Sequence, residues 1–170
     1  IKDLVILLKD GTHNPPKYTK TGVPLLAAEN IHDGIIEMGN IHISTQDYHL
    51  MHKKYEIQEN DVLLTIVGSI GRVAIVKTKE KFTLQRSVSI IRLKNSIVPE
   101  FFAFLTQHYY FQNELYRRTH TTTRGGVYLG ELGKILAFYP RDVSEQKQIV
   151  SILSNVDIQI QKEKLHKSNL

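Results

Sequence analysis

The 170-residue chain has no cysteine, which removes disulfides, thiolate nucleophiles and zinc–thiolate sites together and leaves the redox compartment open. It has no apolar run long enough to cross a bilayer. It lacks a signal-peptide pattern and begins at Ile1 rather than Met, which reads as an excised or trimmed domain. Acid is scarce in one place. Residues 66–94 carry Arg72, Lys77, Lys79, Lys81, Arg86, Arg92 and Lys94 against the single acid Glu80. That local excess is larger than the +5 of the whole chain, so the remainder is close to neutral. Arg117, Arg118 and Arg124 form a smaller basic group around a threonine-rich stretch. Clustered cations suit a polyanion, because each neutralised phosphate releases condensed counterions. A solvated strand face carrying lysines for solubility would look the same.

What is present is an ordinary core-forming composition, 41% hydrophobic and 23% charged, of one domain's length. Its pattern changes period along the chain, which predicts a mixed α/β chain of the α+β class. Apolar runs at 4–8, 23–28, 35–43, 62–67, 72–77 and 87–93 read as strands, with turns at Gly11, Asn60-Asp61 and Gly68-Ser69-Ile70-Gly71. Ser44 with Asp47 three residues on opens a short helix reaching about Tyr55. Pro99 starts a longer one, with Phe101, Phe104, His108, Phe111 and Leu115 on one stripe and Phe102, Leu105 and Tyr109 on the next. Residues 135–139 read as a last strand stopped by Pro140. Asp142 or Ser144 then caps a helix running to the end, so the expected division is a domain at 1–141 and a helix at 142–170. Ile149, Leu153, Val156 and Ile160 are spaced four, three and four, a narrow heptad seam suited to pairing with another helix. The register continues onto Glu163 and Lys167, where the seam fades.

Reaction chemistry is thinly represented. Asn14-Pro15-Pro16-Lys17 approaches the Asn-Pro-Pro-aromatic motif of amino-methyltransferases, but the ring, Tyr18, arrives one residue late. Only nine residues precede Asp10, too few for a methyl-donor site. Gly68-Ser69-Ile70-Gly71-Arg72 lacks the Lys-Ser/Thr ending of a phosphate-binding loop. His49, His52 and Glu56 lack zincin spacing and read as an exposed polar helix face, while His108, on its apolar stripe, reads as a core histidine. No metal site and no catalytic residue is expected.

Taken in order, the segments resemble one family. Asp10-Gly11-Thr12-His13, Pro15 or Pro16 with Tyr18, then Gly22-Val23-Pro24-Leu25-Leu26 and Asn30-Ile31 are similar to the opening of a target-recognition domain from the specificity subunits of type I restriction–modification systems. Asn60-Asp61-Val62-Leu63-Leu64 through Gly71-Arg72 resembles its middle hairpin. Residues 132–140, then Glu145-Gln146, Ile149, Leu153 and Asp157, resemble its closing strand and spacer helix. The resemblance implies a compact, strand-rich recognition domain with a long packed helix, followed by a coiled-coil-type spacer helix.

It also implies a non-catalytic reader of one half of a bipartite double-stranded DNA site, in a complex that methylates adenine and cleaves DNA with ATP. S-adenosylmethionine, ATP and magnesium would be used by the modification and restriction subunits docked on it, in a prokaryotic cytoplasm, with no cofactor bound here and no membrane partner. The C-terminal helix would pair with a second copy or the second half of the subunit. Two other readings stay open: a fragment of an adenine-specific methyltransferase built around Asn14-Pro15-Pro16, and the recognition domain of a fused restriction–methylation enzyme.

Charge and loop position select candidate DNA contacts. They are Asn14, Lys17, Tyr18 and Lys20; Ser69, Arg72 and Lys77; Gln85 and Arg86; and Arg118, Thr121, Thr122, Thr123, Arg124 and Tyr128. Lys79 and Lys81 would add phosphate contacts. Arg86, Arg118 and Arg124 have the fork that pairs with guanine, and Gln85 or Asn14 could pair with adenine.

Overall fold

The computed structural model describes residues 1–53, 55–119 and 125–168. Its strands are β1 (Val5–Asp10), β2 (Val23–Leu26), β3 (Ile31–His32), β4 (Ile35–Ile36), β5 (His42–Ile43), β6 (Val62–Thr65), β7 (Val73–Ile75), β8 (Thr83–Leu84) and β9 (Val88–Leu93). Helix α1 (Thr45–Met51) falls between β5 and β6, and α2 (Pro99–Gln107), α3 (Tyr109–Thr119), α4 (Leu129–Lys134) and α5 (Val143–Ser168) follow β9.

Alternation along the strands builds the core. β1, β9, β6 and β7 form an antiparallel sheet in that order. Val62, Leu64, Val73, Ile91 and Leu93 point to one face, where Phe102, Phe111, Leu115, Leu132 and Ile135 cover them. Their neighbours Leu63, Ala74, Val88 and Ile90 point to the other, against Leu26, Ile31, Phe82 and Leu84. Side chains of period two, apolar on both faces, make a strand pair that must be sandwiched. The second cover is the small sheet β5–β2–β8, in which β2 and β8 run parallel, with the β3–β4 hairpin.

Several expectations are corrected by what lies across from each segment. The helix predicted from Pro99 is two helices, parted at His108, whose ψ of 142° leaves the helical region. Phe102 and Phe111, nine residues apart, would stand on opposite sides of a straight helix, about two and a half turns on. The break brings both into the core, rings edge to face at 6.5 Å. His108 is therefore exposed, and its Nδ1 accepts from the Tyr110 amide at 3.3 Å. Residues 35–43 do not make one strand: β4 pairs with β3 and β5 with β2.

Residues 135–139 form no ladder. Ile135 is buried while Leu136 and Phe138 are 64% and 75% exposed, and the Ile135 carbonyl accepts from the amino group of Ile1. Helix α1 is capped as expected, Ser44 Oγ accepting from the Asp47 amide at 3.0 Å, but it stops at Met51. There His52 turns inward and is 7% exposed, its Nδ1 donating to the Tyr55 carbonyl at 3.0 Å and its Nε2 accepting from Thr83 Oγ1 at 2.8 Å. The polar-face expectation for His52 was wrong because Thr83, 31 residues away, supplies its partner.

Helix α5 starts at a cap, Asp142 Oδ1 accepting from the Ser144 amide and Oδ2 from the Ser144 hydroxyl, both at 2.8 Å; these hydrogen bonds hold the Asp142 carboxyl below its usual range. The buried Gln146 side chain then staples it to the domain, donating to Ser96 and Pro140 carbonyls at 2.9 and 2.8 Å and accepting from the Val98 amide at 2.9 Å. Further along, Ile149 is half-buried, and Leu153, Val156 and Ile160 are exposed.

Candidate nucleic-acid interface

Strand register decides which loops meet. Asp10 lies opposite Ser89, Thr65 opposite Val88, and Leu64 opposite Val73. The exit of β1, the exit of β6, and the entries of β7 and β9 therefore share one end of the four-stranded sheet. A bridge between Val67 and Gly126 brings residues 125–128 to the same end.

The loops there are fixed by backbone bonds. The Thr12 amide donates to the Leu84 carbonyl at 2.8 Å and the Arg86 amide to the Thr12 carbonyl at 3.0 Å. Gly11 is packed so tightly that a Cβ would collide with the Leu84 carbonyl. The Ile66 amide donates to the Ser87 carbonyl and the Val127 amide to the Ile66 carbonyl, both at 2.8 Å. In the 66–72 loop, Gly71 has a φ of 93°, and Gln112 Nε2 on α3 donates to its carbonyl at 3.0 Å. That positive φ favours glycine, and a Cβ there would meet the Gln112 amide. Loop tips on such a frame can present side chains in fixed register.

Between these loops is a cleft of about 220 Å³. Ile66, Val67, Val127 and Leu129 line it with apolar groups, and Asp10, His13, Arg86 and Tyr128 supply its polar ones. His13 Nε2 lies 2.7 Å from Asp10 Oδ2.

The expected contacts divide by position. Arg86 and Tyr128 are exposed beside the cleft, Ser69 and Arg72 are half-buried on the 66–72 loop, and Gln85 is half-buried next to Arg86. Asn14 is exposed, its amide donating to Thr12 Oγ1 at 3.2 Å. Lys17, Tyr18 and Lys20 are exposed on a segment leading away from the cleft, for the Thr19 amide donates to the His42 carbonyl beside the β2–β5 pair.

Three residues fall elsewhere. Lys77 lies past the opposite end of β7, ion-paired with Glu100. Arg118 bonds Glu114 and the Glu131 carbonyl, the latter at 3.1 Å, and joins α3 to α4. Lys81 stands 5.7 Å over the Tyr48 ring, beside α1 rather than the cleft. Thr121, Thr122, Thr123 and Arg124 lie outside the described residues. Sequence reasoning missed the Asp10–His13 pair as part of the site, although a carboxylate three residues before a histidine at a strand end was a legible signal. Among the described residues no three His, Asp or Glu side chains gather as metal ligands.

The arrangement is a rigid β platform with its loops gathered at one edge. The chain belongs to the family of type I restriction modification DNA specificity domains, whose family model matches residues 1–169. It is 28% identical over 141 residues to the type I restriction enzyme EcoBI specificity subunit of Escherichia coli, covering 82% of this chain and 30% of that protein. In structure it resembles the HsdS subunit from Thermoanaerobacter tengcongensis, with a TM-score of 0.68 and 16% identity over 95% of this chain and 37% of that one. The S subunit of a type I restriction–modification system from M. genitalium gives a TM-score of 0.62 at 17% identity, covering 95% and 38%. The chain thus spans about a third of the length of these relatives. A methyltransferase fragment built on Asn14-Pro15-Pro16 is not favoured, since a specificity domain accounts for nearly the whole chain.

Proposed function

We propose that this chain reads one half of a bipartite double-stranded DNA site in a specificity subunit, and that bonds are made and broken by other subunits. Those subunits, a methyltransferase and a motor-nuclease, would bring S-adenosylmethionine, ATP and magnesium, in the cytoplasm of a prokaryote. The observation that carries this reading is the convergence of the 11–14, 66–72, 85–87 and 125–128 loops at one sheet end. There Arg72 and Arg86 have no carboxylate partner among the described residues. Backbone bonds would hold register on the duplex, and the forked cations and amides would meet phosphates and base edges.

The exposed seam of Leu153, Val156 and Ile160 supports pairing of α5 with a second helix, from another copy or another half of the subunit. Among the described residues no helix is long and apolar enough to cross a membrane.

The test is selection from a randomised duplex library by the full-length protein joined to its methylating partner. A short shared sequence should emerge, and the Arg72→Ala and Arg86→Ala variants should each bind that sequence about tenfold more weakly with unchanged thermal unfolding. Recovery of the library without enrichment would end this reading.

A further inference from the structure

We propose that His13, held by Asp10 and set beside Arg86, clamps a backbone phosphodiester of the bound duplex and so fixes register without reading sequence. This rests on the DNA-binding reading above and assigns one contact within it.

The two side chains are set side by side by main-chain geometry. Thr12 and Gln85 form a parallel bridge. Residues that follow a parallel bridge continue in the same direction, so His13 and Arg86 leave the platform together at the cleft they both line. The Leu84 and Gln85 carbonyls pressed on Gly11 keep that spacing from drifting. His13 is 61% exposed and Arg86 is exposed.

A carboxylate only accepts, so His13 Nε2 carries the hydrogen in its 2.7 Å bond to Asp10. The other ring nitrogen, Nδ1, has no partner among the described residues. A neutral ring would present a lone pair there, which a phosphate oxygen repels. Docking of the phosphodiester therefore goes with uptake of a proton from solvent by a neutral ring. The imidazolium then donates Nε2–H to Asp10 and Nδ1–H to the phosphate oxygen, while Arg86 donates from its fork. Among the described residues, the charged or titratable groups that line the cleft with the ring are Asp10 from β1, Arg86 from the β8–β9 connection, and Tyr128 before α4.

Fluorescence anisotropy on the full-length protein tests this, with one duplex of the selected sequence and one scrambled, across about pH 5 to 8 and a chloride series. Wild-type affinity should fall as pH rises, by up to about tenfold per unit for one proton, and equally on both duplexes. His13→Ala should bind both about fivefold more weakly, lose the pH response and lower the salt slope by about one. His13→Arg should keep the affinity while losing the pH response. A His13→Ala protein that shifts preference at one base pair with its salt slope intact would make His13 a base reader and overturn the clamp, as would unchanged binding. If wild type prefers neither duplex, yet removing His13 abolishes the pH response and lowers the salt slope by about one, the clamp stands and the sequence-reading proposal falls.

Discussion

The two ends of the four-stranded sheet hold their arginines in different states. At the end where β6 begins, Arg92 bonds the buried Asp61 carboxylate through two nitrogens at 2.8 and 2.9 Å and the Glu56 carbonyl at 2.6 Å. Those bonds to Asp61 raise the Arg92 pKa further above its ordinary value. At the other end, Arg72 and Arg86 have no such partner among the described residues. All three come from the same basic stretch, so counting charge along the sequence mixes two populations. Strand register separates them: Val62 pairs with Ile91, which sets Asp61 opposite Arg92. A cation with a carboxylate delivered by the fold holds the fold together, and a cation without one is available to a ligand.

The sharpest way to break that contrast is Asp61→Ala. The substitution strands a half-buried guanidinium and also removes the acceptor of the Gln58 amide. The expected loss is about 3 kcal/mol, a fall of roughly 6–12 °C in Tm for a chain of this size. Arg86→Ala should stay within about 0.5 kcal/mol of wild type. Equal destabilisation by the two, measured by thermal unfolding, would mean that the ends do not differ in this way.

What was legible in the sequence was what local chemistry determines. The β6–β7 hairpin, the two-faced apolar strand β9, the Ser44 cap of α1 and the Asp142 cap of α5 follow from alternation and from side chains that bond amides two or three residues on. The loops at the cleft were legible because glycines and turn residues mark them. What was not legible depended on a distant partner. Gln112 and Phe111 become meaningful only once the chain breaks at His108, and His52 is buried because Thr83 waits for it. Lys77 is taken by Glu100, 23 residues later. Arg118 could have been placed correctly, since Glu114 stands four residues before it on a helix, a spacing that favours pairing.

A smaller effect tests how firmly the loop end is anchored. His52 ties α1 to Thr83, two residues before Gln85. Burial pulls its pKa below the ordinary 6.5, against opposing contributions from the Tyr55 carbonyl and Glu56, with His49 adding to the lowering. The folded state thus favours the neutral ring, while the unfolded chain takes up a proton below pH 6.5. The stabilisation is present above that pH and declines as pH falls through the window below it. Denaturant unfolding at pH 7 and about pH 5 should show a larger loss for wild type than for His52→Gln. Parallel losses would place the acid sensitivity elsewhere.

The smallest effect is the most diagnostic of the division between the ends. Lys77 is 60% exposed and its partner Glu100 37%, so their ion pair is largely screened by solvent. Lys77→Ala should change stability by at most about 1 kcal/mol. It should also leave duplex affinity and salt dependence unchanged, because register carries Lys77 to the end of the sheet away from the cleft. Arg86→Ala removes one positive charge from the same stretch of sequence and should weaken binding about tenfold. If the two variants lost affinity equally, net charge would govern binding in place of the gathered loops, and the distinction between the two ends would have no functional content.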